Sequence, residues 1–133
     1  MCKRLAFCVA ILVLGLISAT AYAEQDQVKR TLLQKIEVPG TQYVAIMGIA
    51  EVEPGGIANR HTHPGVETAY IAEGEGVLII EGKPDRQMKV GDSFTTTPGV
   101  PHYLRNLSKS KPLKILTVWI VEKDKPPVIP APK

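Results

Sequence analysis

All three histidines of this 133-residue chain fall into one arrangement with a glutamate: His61 and His63 flank Thr62, Glu67 follows, and His102 stands alone far downstream. Three imidazoles and one carboxylate form the donor set of a mononuclear metal centre. Nitrogen and oxygen donors of this kind suit one divalent transition metal (Mn, Fe, Ni, Cu, Co or Zn), and no thiolate stands among the candidates to favour a softer ion. Side chains alternate along a strand, so His61, His63 and Glu67 share a face if the segment runs extended. Taken singly, His63 reads as a hydrogen-bonded core histidine and Glu67 as a solvated strand residue; the joint spacing is what points to metal.

The elements that must hold these residues are short strands. Apolar or alternating runs extend from Tyr43 to Val52, Thr68 to Ala72, Val77 to Glu81, Gln87 to Val90, Ser93 to Thr96, His102 to Leu107 and Leu113 to Val121. Between them lie Pro54-Gly55-Gly56, Pro64-Gly65, Gly74-Glu75-Gly76, Gly82-Lys83-Pro84-Asp85, Gly91-Asp92 and Pro98-Gly99, turn formers by their glycine, proline or Asx chemistry. Such strands at such spacing predict an all-β sandwich or barrel. Residues Gln27 to Val38 make either one turn of helix or an arm-like strand, and the strand is the expectation. The end of the chain, 124–133, is rich in proline and cannot join a central strand; it is expected to lie extended on the surface or against a partner subunit.

The amino-terminal residues read as a leader. Lys3 and Arg4 precede an apolar stretch from Leu5 to Ile17, followed by Ser18, Ala19, Thr20 and the Ala21-Tyr22-Ala23 cleavage pattern. Residues 1–23 are therefore expected to be a secretory signal peptide, too short and interrupted for a membrane anchor, with the remainder exported to a periplasm or secreted. Both cysteines, Cys2 and Cys8, fall inside it, so residues 24–133 have no thiol and no disulfide. Cys8 lies near the start of the apolar stretch, which argues against a lipoprotein. Without the leader, fourteen basic side chains stand against thirteen acidic ones. No stripe of Lys and Arg interleaved with aromatics appears, so neither nucleic acid nor, after cleavage, membrane is an expected partner. The rest, about 110 residues, makes one domain, small enough to gain from sharing surface in a homodimer.

From Gly55 to Gly74 the chain carries His61-Thr62-His63 and Glu67 between two glycines, and from Gly91 it carries Gly99, His102 and Asn106. These two segments resemble the signature motifs of the cupin superfamily, and the resemblance extends from about Tyr43 to Val121. It implies a jelly-roll β-barrel over 24–123 with His61, His63, Glu67 and His102 converging inside on one divalent ion. The chain departs from the pattern at Thr97, where the family usually has proline, so the turn leading to His102 is expected to be shaped differently. Four ligands on an ion that prefers six leave two adjacent positions open, as a substrate-binding site requires.

The walls of that site are expected from Ala69 and Ile71, which share the face of Glu67, from Leu104, which shares that of His102, and from Met47, Phe94 and Trp119 on neighbouring strands. With every histidine used as a ligand, chemistry must reside on the ion, with Glu67 as the candidate base if it swings off the metal. Two adjacent open positions suit a bidentate oxygen donor, or one substrate oxygen plus dioxygen, which points to a dioxygenase or isomerase acting on a small molecule. The alternative is a non-enzymatic protein that binds a metal or small ligand. Two weaker motifs carry less: Gly74-Glu75-Gly76 is a hairpin turn rather than a phosphate loop, and Asn106-Leu107-Ser108, though a glycosylation acceptor pattern, places Asn106 on the inward parity of His102.

Overall fold

The computed structural model describes residues 26–132; the expected signal peptide, 1–23, lies outside the described residues. Within them the alternating runs form strands and no helix. In chain order these are β1 (Val28–Glu37), β2 (Tyr43–Val52), β3 (Ile57–Thr62), β4 (Val66–Glu73), β5 (Glu75–Ile80), β6 (Arg86–Lys89), β7 (Ser93–Thr96), β8 (His102–Asn106), β9 (Leu113–Glu122) and β10 (Ile129–Pro130). They build two five-stranded antiparallel sheets, ordered β1-β2-β9-β4-β7 and β10-β3-β8-β5-β6. The architecture is the expected all-β jelly roll. All seven runs expected as strands are strands, and the arm is β1; β3 and β10 are added.

Period-2 patterning decides which residues are inside. On β9, Leu113, Ile115, Thr117, Trp119 and Val121 are buried and their neighbours are not, and on β8 His102, Leu104 and Asn106 point inward. The apolar interior has two parts. A larger cluster around Val52, Ile71, Leu78, Met88 and Leu113 fills one end of the sandwich, and Val44, Ile46, Trp119 and Val121 fill the other, packed against Val128 of the tail. Asn106 is buried, as its parity implied. Its amide donates to the carbonyls of Val52, Glu53 and Lys111 at 3.2, 3.0 and 2.8 Å, which ties the end of β8 to the chain leaving β2 and entering β9.

Of the two places expected for the proline-rich tail, the chain's own surface is the one observed. Ile129 and Pro130 pair with Thr62 and His61 at the edge of β3, an edge being where a residue without an N–H is tolerated. The Ala131 N–H bonds to the Arg60 carbonyl at 3.0 Å. The Arg60 guanidinium donates to the Pro132 carbonyl and pairs with Glu81 at 2.5 Å.

The extended segment expected from His61 to Glu67 is instead broken. β3 ends at Thr62, the chain bends at Pro64-Gly65, and β4 begins at Val66 in the other sheet. Gly65 makes that crossing possible by lying against β9: a Cβ there would stand 1.9 Å from the Ile120 carbonyl oxygen and 2.9 Å from its carbon. Because the clash is with backbone, Gly65→Ala is expected to destabilise the fold by about 2–3 kcal/mol. Urea denaturation measures it as a lower midpoint at unchanged slope.

Candidate metal centre

A one-residue irregularity aims the first ligand. Along β3, Ala58 pairs with Leu104 and His61 with His102, so three steps on β3 oppose two on β8. Residues three apart on a regular strand face opposite ways, yet Ala58 and His61 both line the interior. The bulge between them turns His61 inward, and the His61 Nδ1–H bonds to the carbonyl of Asn59, within the bulge, at 2.7 Å. His63 lies in the crossing segment, Glu67 on β4 and His102 at the start of β8. The four residues thus meet because the chain crosses between sheets, not because they share one face of a strand. The turn before His102 keeps its ligand despite Thr97: Val100 N–H bonds to the Thr97 carbonyl at 3.3 Å, and Gly99 N–H bonds to the His63 carbonyl at 2.9 Å, joining the two motifs.

Each imidazole is oriented by a backbone carbonyl. Nδ1 of His61 donates to Asn59, Nδ1 of His102 to Val100 at 3.0 Å, and Nδ1 of His63 to Pro127 at 2.5 Å. A carbonyl only accepts, so all three rings carry their proton on Nδ1 and turn Nε2 toward a common point. One ring nitrogen from each lies within 4.8 Å of the others. His63 Nε2 stands 3.2 Å from His102 Nε2, and Glu67 Oε2 lies 3.1 and 3.2 Å from these two atoms. Donors sharing one ion at about 2.1 Å are about 3–4 Å apart, so the set fits a divalent transition metal.

The electrostatics are consistent with that use. His63, Glu67 and His102 are buried, while His61 is partly buried. Desolvation, followed by the neighbouring His102, pushes His61 down to about 4, which keeps it neutral and able to coordinate near pH 7. Burial raises the Glu67 carboxyl, but hydrogen bonding to His102 and His63 and their charges outweigh it and hold the group well below the usual carboxylate range. Two threonines steady the same carboxylate: Thr117 donates to Oε1 at 2.8 Å and Thr96 to Oε2 at 3.2 Å.

The cavity beside these residues has a volume of about 30 Å³, room for one or two water-sized groups. Of the residues expected on its walls, Phe94, Leu104 and Trp119 line it. Ala69 and Ile71 face inward as well but belong to the larger apolar cluster, and Met47 lies on the outward parity of β2, between buried Ile46 and Gly48, away from the cavity. Sequence reasoning missed Thr96 and Thr117, although an inward threonine in the apolar run of β9 was a readable signal. It also missed the mouth, formed by Val28 and Arg30 of β1 and Val128 of the tail.

Residues 48–119 match the family described as Cupin domain. The chain belongs to the cupin family. Among curated relatives, this cupin is similar to dimethylsulfoniopropionate lyase DddQ of Ruegeria pomeroyi, 32% identical over 73 residues that cover 55% of this chain and 35% of that protein. It is also similar to germin-like protein subfamily 2 member 4 of Arabidopsis thaliana, 30% identical over 92 residues, 65% of this chain and 41% of that one. The chain thus spans well under half the length of these relatives. The crystal structure of the Ruegeria pomeroyi lyase superposes with a TM-score of 0.64 at 24% identity, covering 80% of this chain and 54% of that one. A recombinant oxalate oxidase in complex with glycolate superposes with 0.63 at 22% identity, covering 81% and 57%. At these identities the superpositions show the fold.

Two of the carbonyls that orient the imidazoles are local, whereas that of Pro127 arrives from the end of the chain. Outer hydrogen bonds of this kind set ligand orientation and basicity, and their loss typically weakens metal affinity roughly 10- to 100-fold. Truncation after Asp124 is therefore expected to weaken zinc binding by that factor while the strand content seen by circular dichroism persists; competition with a chromogenic chelator measures it.

Proposed function

We propose that this cupin is exported and binds one divalent transition metal through His61, His63, His102 and Glu67, and that it acts through the ion on a small oxygen-donor substrate, as a dioxygenase or isomerase. One observation carries the metal reading. With every Nδ1–H committed to a carbonyl, His63 Nε2, His102 Nε2 and Glu67 Oε2 lie within 3.2 Å of one another, a spacing that holds only with a proton or a metal ion shared among them. A divalent ion satisfies the three imidazoles and the carboxylate at once, which a single proton does not. When bound, a divalent ion supplies Lewis acidity and, if redox-active, electron transfer to or from substrate.

Glu67 is read as a ligand and, if it swings off the ion, as the candidate base. Its carboxylate is held by two threonine hydroxyls, which it would have to give up along with the ion to act as base. The apolar walls from Phe94, Leu104 and Val128 exclude water around whatever occupies the free side of the ion. A lyase of dimethylsulfoniopropionate and an oxalate oxidase holding glycolate, both similar to this chain, support a small oxygen-bearing substrate. The leader pattern of residues 1–23 supports export.

His102→Ala is expected to lose most of the bound metal while keeping its fold, because Val52, Ile71, Leu78 and Leu113, among the most deeply buried residues of the core cluster, do not line the site. Elemental analysis of protein purified from its own compartment reads both the occupancy and the native ion. Full occupancy in His102→Ala removes that residue from the shell. Zinc with no turnover, rather than a redox-active ion with oxygen uptake, favours the non-enzymatic alternative.

Association into a homodimer belongs to the same proposal. The outer face of the first sheet sets Met47 beside Val118 and Ile120 beside Val66, with Ile49 and Tyr70 flanking Leu116. Ile120, Val66 and Tyr70 are 43, 39 and 45% exposed. At the rim, Glu51 and Lys114 pair with each other, as do Glu37 and Lys123, leaving little uncompensated charge to select a partner of opposite sign. A contiguous, nearly neutral apolar face fits an isologous contact with a second copy. Sedimentation at micromolar concentration is expected to give dimers, and Ile120→Glu monomers; a monomeric parent refutes the contact.

A further inference from the structure

The Trp119 side chain is 6% exposed, and its Nε1–H is the one buried side-chain polar atom among the described residues without a hydrogen-bond partner. Leaving such a donor unpaired in the folded state costs about 1–3 kcal/mol, and buried polar groups are paired as a rule. An exception calls for a physical reason, and its position supplies one.

Trp119 lines the same cavity as His61, Glu67 and His102. It is the register partner of Glu67 across β9 and β4, and its ring centroid lies 6.0 Å from that of His63. The six-membered ring is anchored in the sheet: a Cβ added to Gly48 would stand 3.2 Å from Cζ3 and 3.6 Å from Cη2. The end of the indole remote from Nε1 is therefore the end packed against β2. Inside the cavity the other side-chain donors are already engaged, and Arg30 at its border has N–H groups to spare. The histidines give their N–H to Asn59, Val100 and Pro127, the threonine hydroxyls go to Glu67, and at the mouth Arg30 pairs with Asp26.

We infer that the Trp119 indole N–H is the buried hydrogen-bond donor this pocket offers to its ligand, and that it receives a carboxylate or carbonyl oxygen of a small molecule held beside the metal. This rests on the metal-centre reading and adds a selection rule to it. A neutral, directional donor beside apolar walls favours a compact oxygen acceptor and discriminates against a ligand that presents an N–H there, since two donors would then meet. The cavity volume of about 30 Å³ limits the part that reaches Trp119 to a group of carboxylate size.

The chain has a single tryptophan, so its indole ¹H–¹⁵N resonance is unambiguous. In zinc-loaded protein, titration with glycolate is expected to move that resonance downfield and slow its exchange with solvent. Trp119→Phe, which keeps an aromatic ring and removes the N–H, is expected to take up zinc as the parent does and to bind glycolate roughly tenfold or more weakly by calorimetry. An indole resonance indifferent to glycolate overturns the inference, and so does a zinc-loaded Trp119→Phe that binds glycolate as tightly as the parent. The resonance is read in unaltered protein, so the test stands even if the variant folds poorly. Failure of the parent to take up zinc is a separate result that removes the metal centre and this inference with it.

Discussion

The structure depends on a convergence of polar groups, three imidazole nitrogens and a carboxylate oxygen, turned toward one point inside a barrel. Left to themselves these groups repel and would prefer water. What holds them is a frame of backbone carbonyls, one behind each Nδ1–H, so that each ring is fixed by a bond the metal does not use. Glu67 brings the compensating negative charge, and Thr96 and Thr117 stabilise that charge without lending it a proton. A site prepared in this way spends little reorganisation when a cation enters, which is the advantage of preorganisation in binding and catalysis alike.

Such a site is tolerable because the barrel divides the work. One end, around Ile71, Leu78, Met88 and Leu113, is apolar, with Asn106 fixing the chain beside it, and its members Ala58, Phe94, Leu104 and Ile115 reach the cavity. The other end contains the polar cluster, the unpaired indole N–H and the mouth. Stability resides chiefly at the first end and function at the second, and local rules are broken where function resides. The glycines of the two motifs serve both ends: Gly55, Gly74, Gly91 and Gly99 all have positive φ, between 68° and 95°, in turns that return the strands to the sandwich.

Most of this frame was legible in the sequence, and the reasons for the remainder are particular. Strand existence follows from period-2 alternation and turn residues, and the spacing of His61, His63, Glu67 and His102 named the donors. Their mode of convergence was not legible. A bulge in β3 and the crossing at Pro64-Gly65 both depend on pairing with β8 and β9, partners distant in sequence, and no local pattern reports a register shift. Met47 shows the same limit on a smaller scale: an apolar residue on an apolar strand is assigned a face only once Ile46 and Gly48 are known to point inward. The tail was read as surface because its prolines exclude it from a ladder. That reasoning identified the edge of β3 as a permissible place but could not reveal that Pro127 accepts a hydrogen bond from a buried ligand.

The mouth of the cavity is bordered by the two least embedded parts of the described chain. Beyond Val28, the residues of β1 are exposed, Leu32 and Ile36 by 65 and 67%, and β1 is bonded only to β2. The tail meets β3 through a strand of two residues. Segments with few buried contacts open at a small fraction of the cost of global unfolding. Access to the histidine cluster can therefore widen while β4 and β8, which hold Glu67 and His102, stay in place. In the proposed dimer, the outer face of the first sheet continues into β1, so covering that face would steady one border of the mouth and leave the other to the tail. The chain end that orients His63 would then also be the border left free to move, linking ligand entry to the geometry of the metal shell through a single segment.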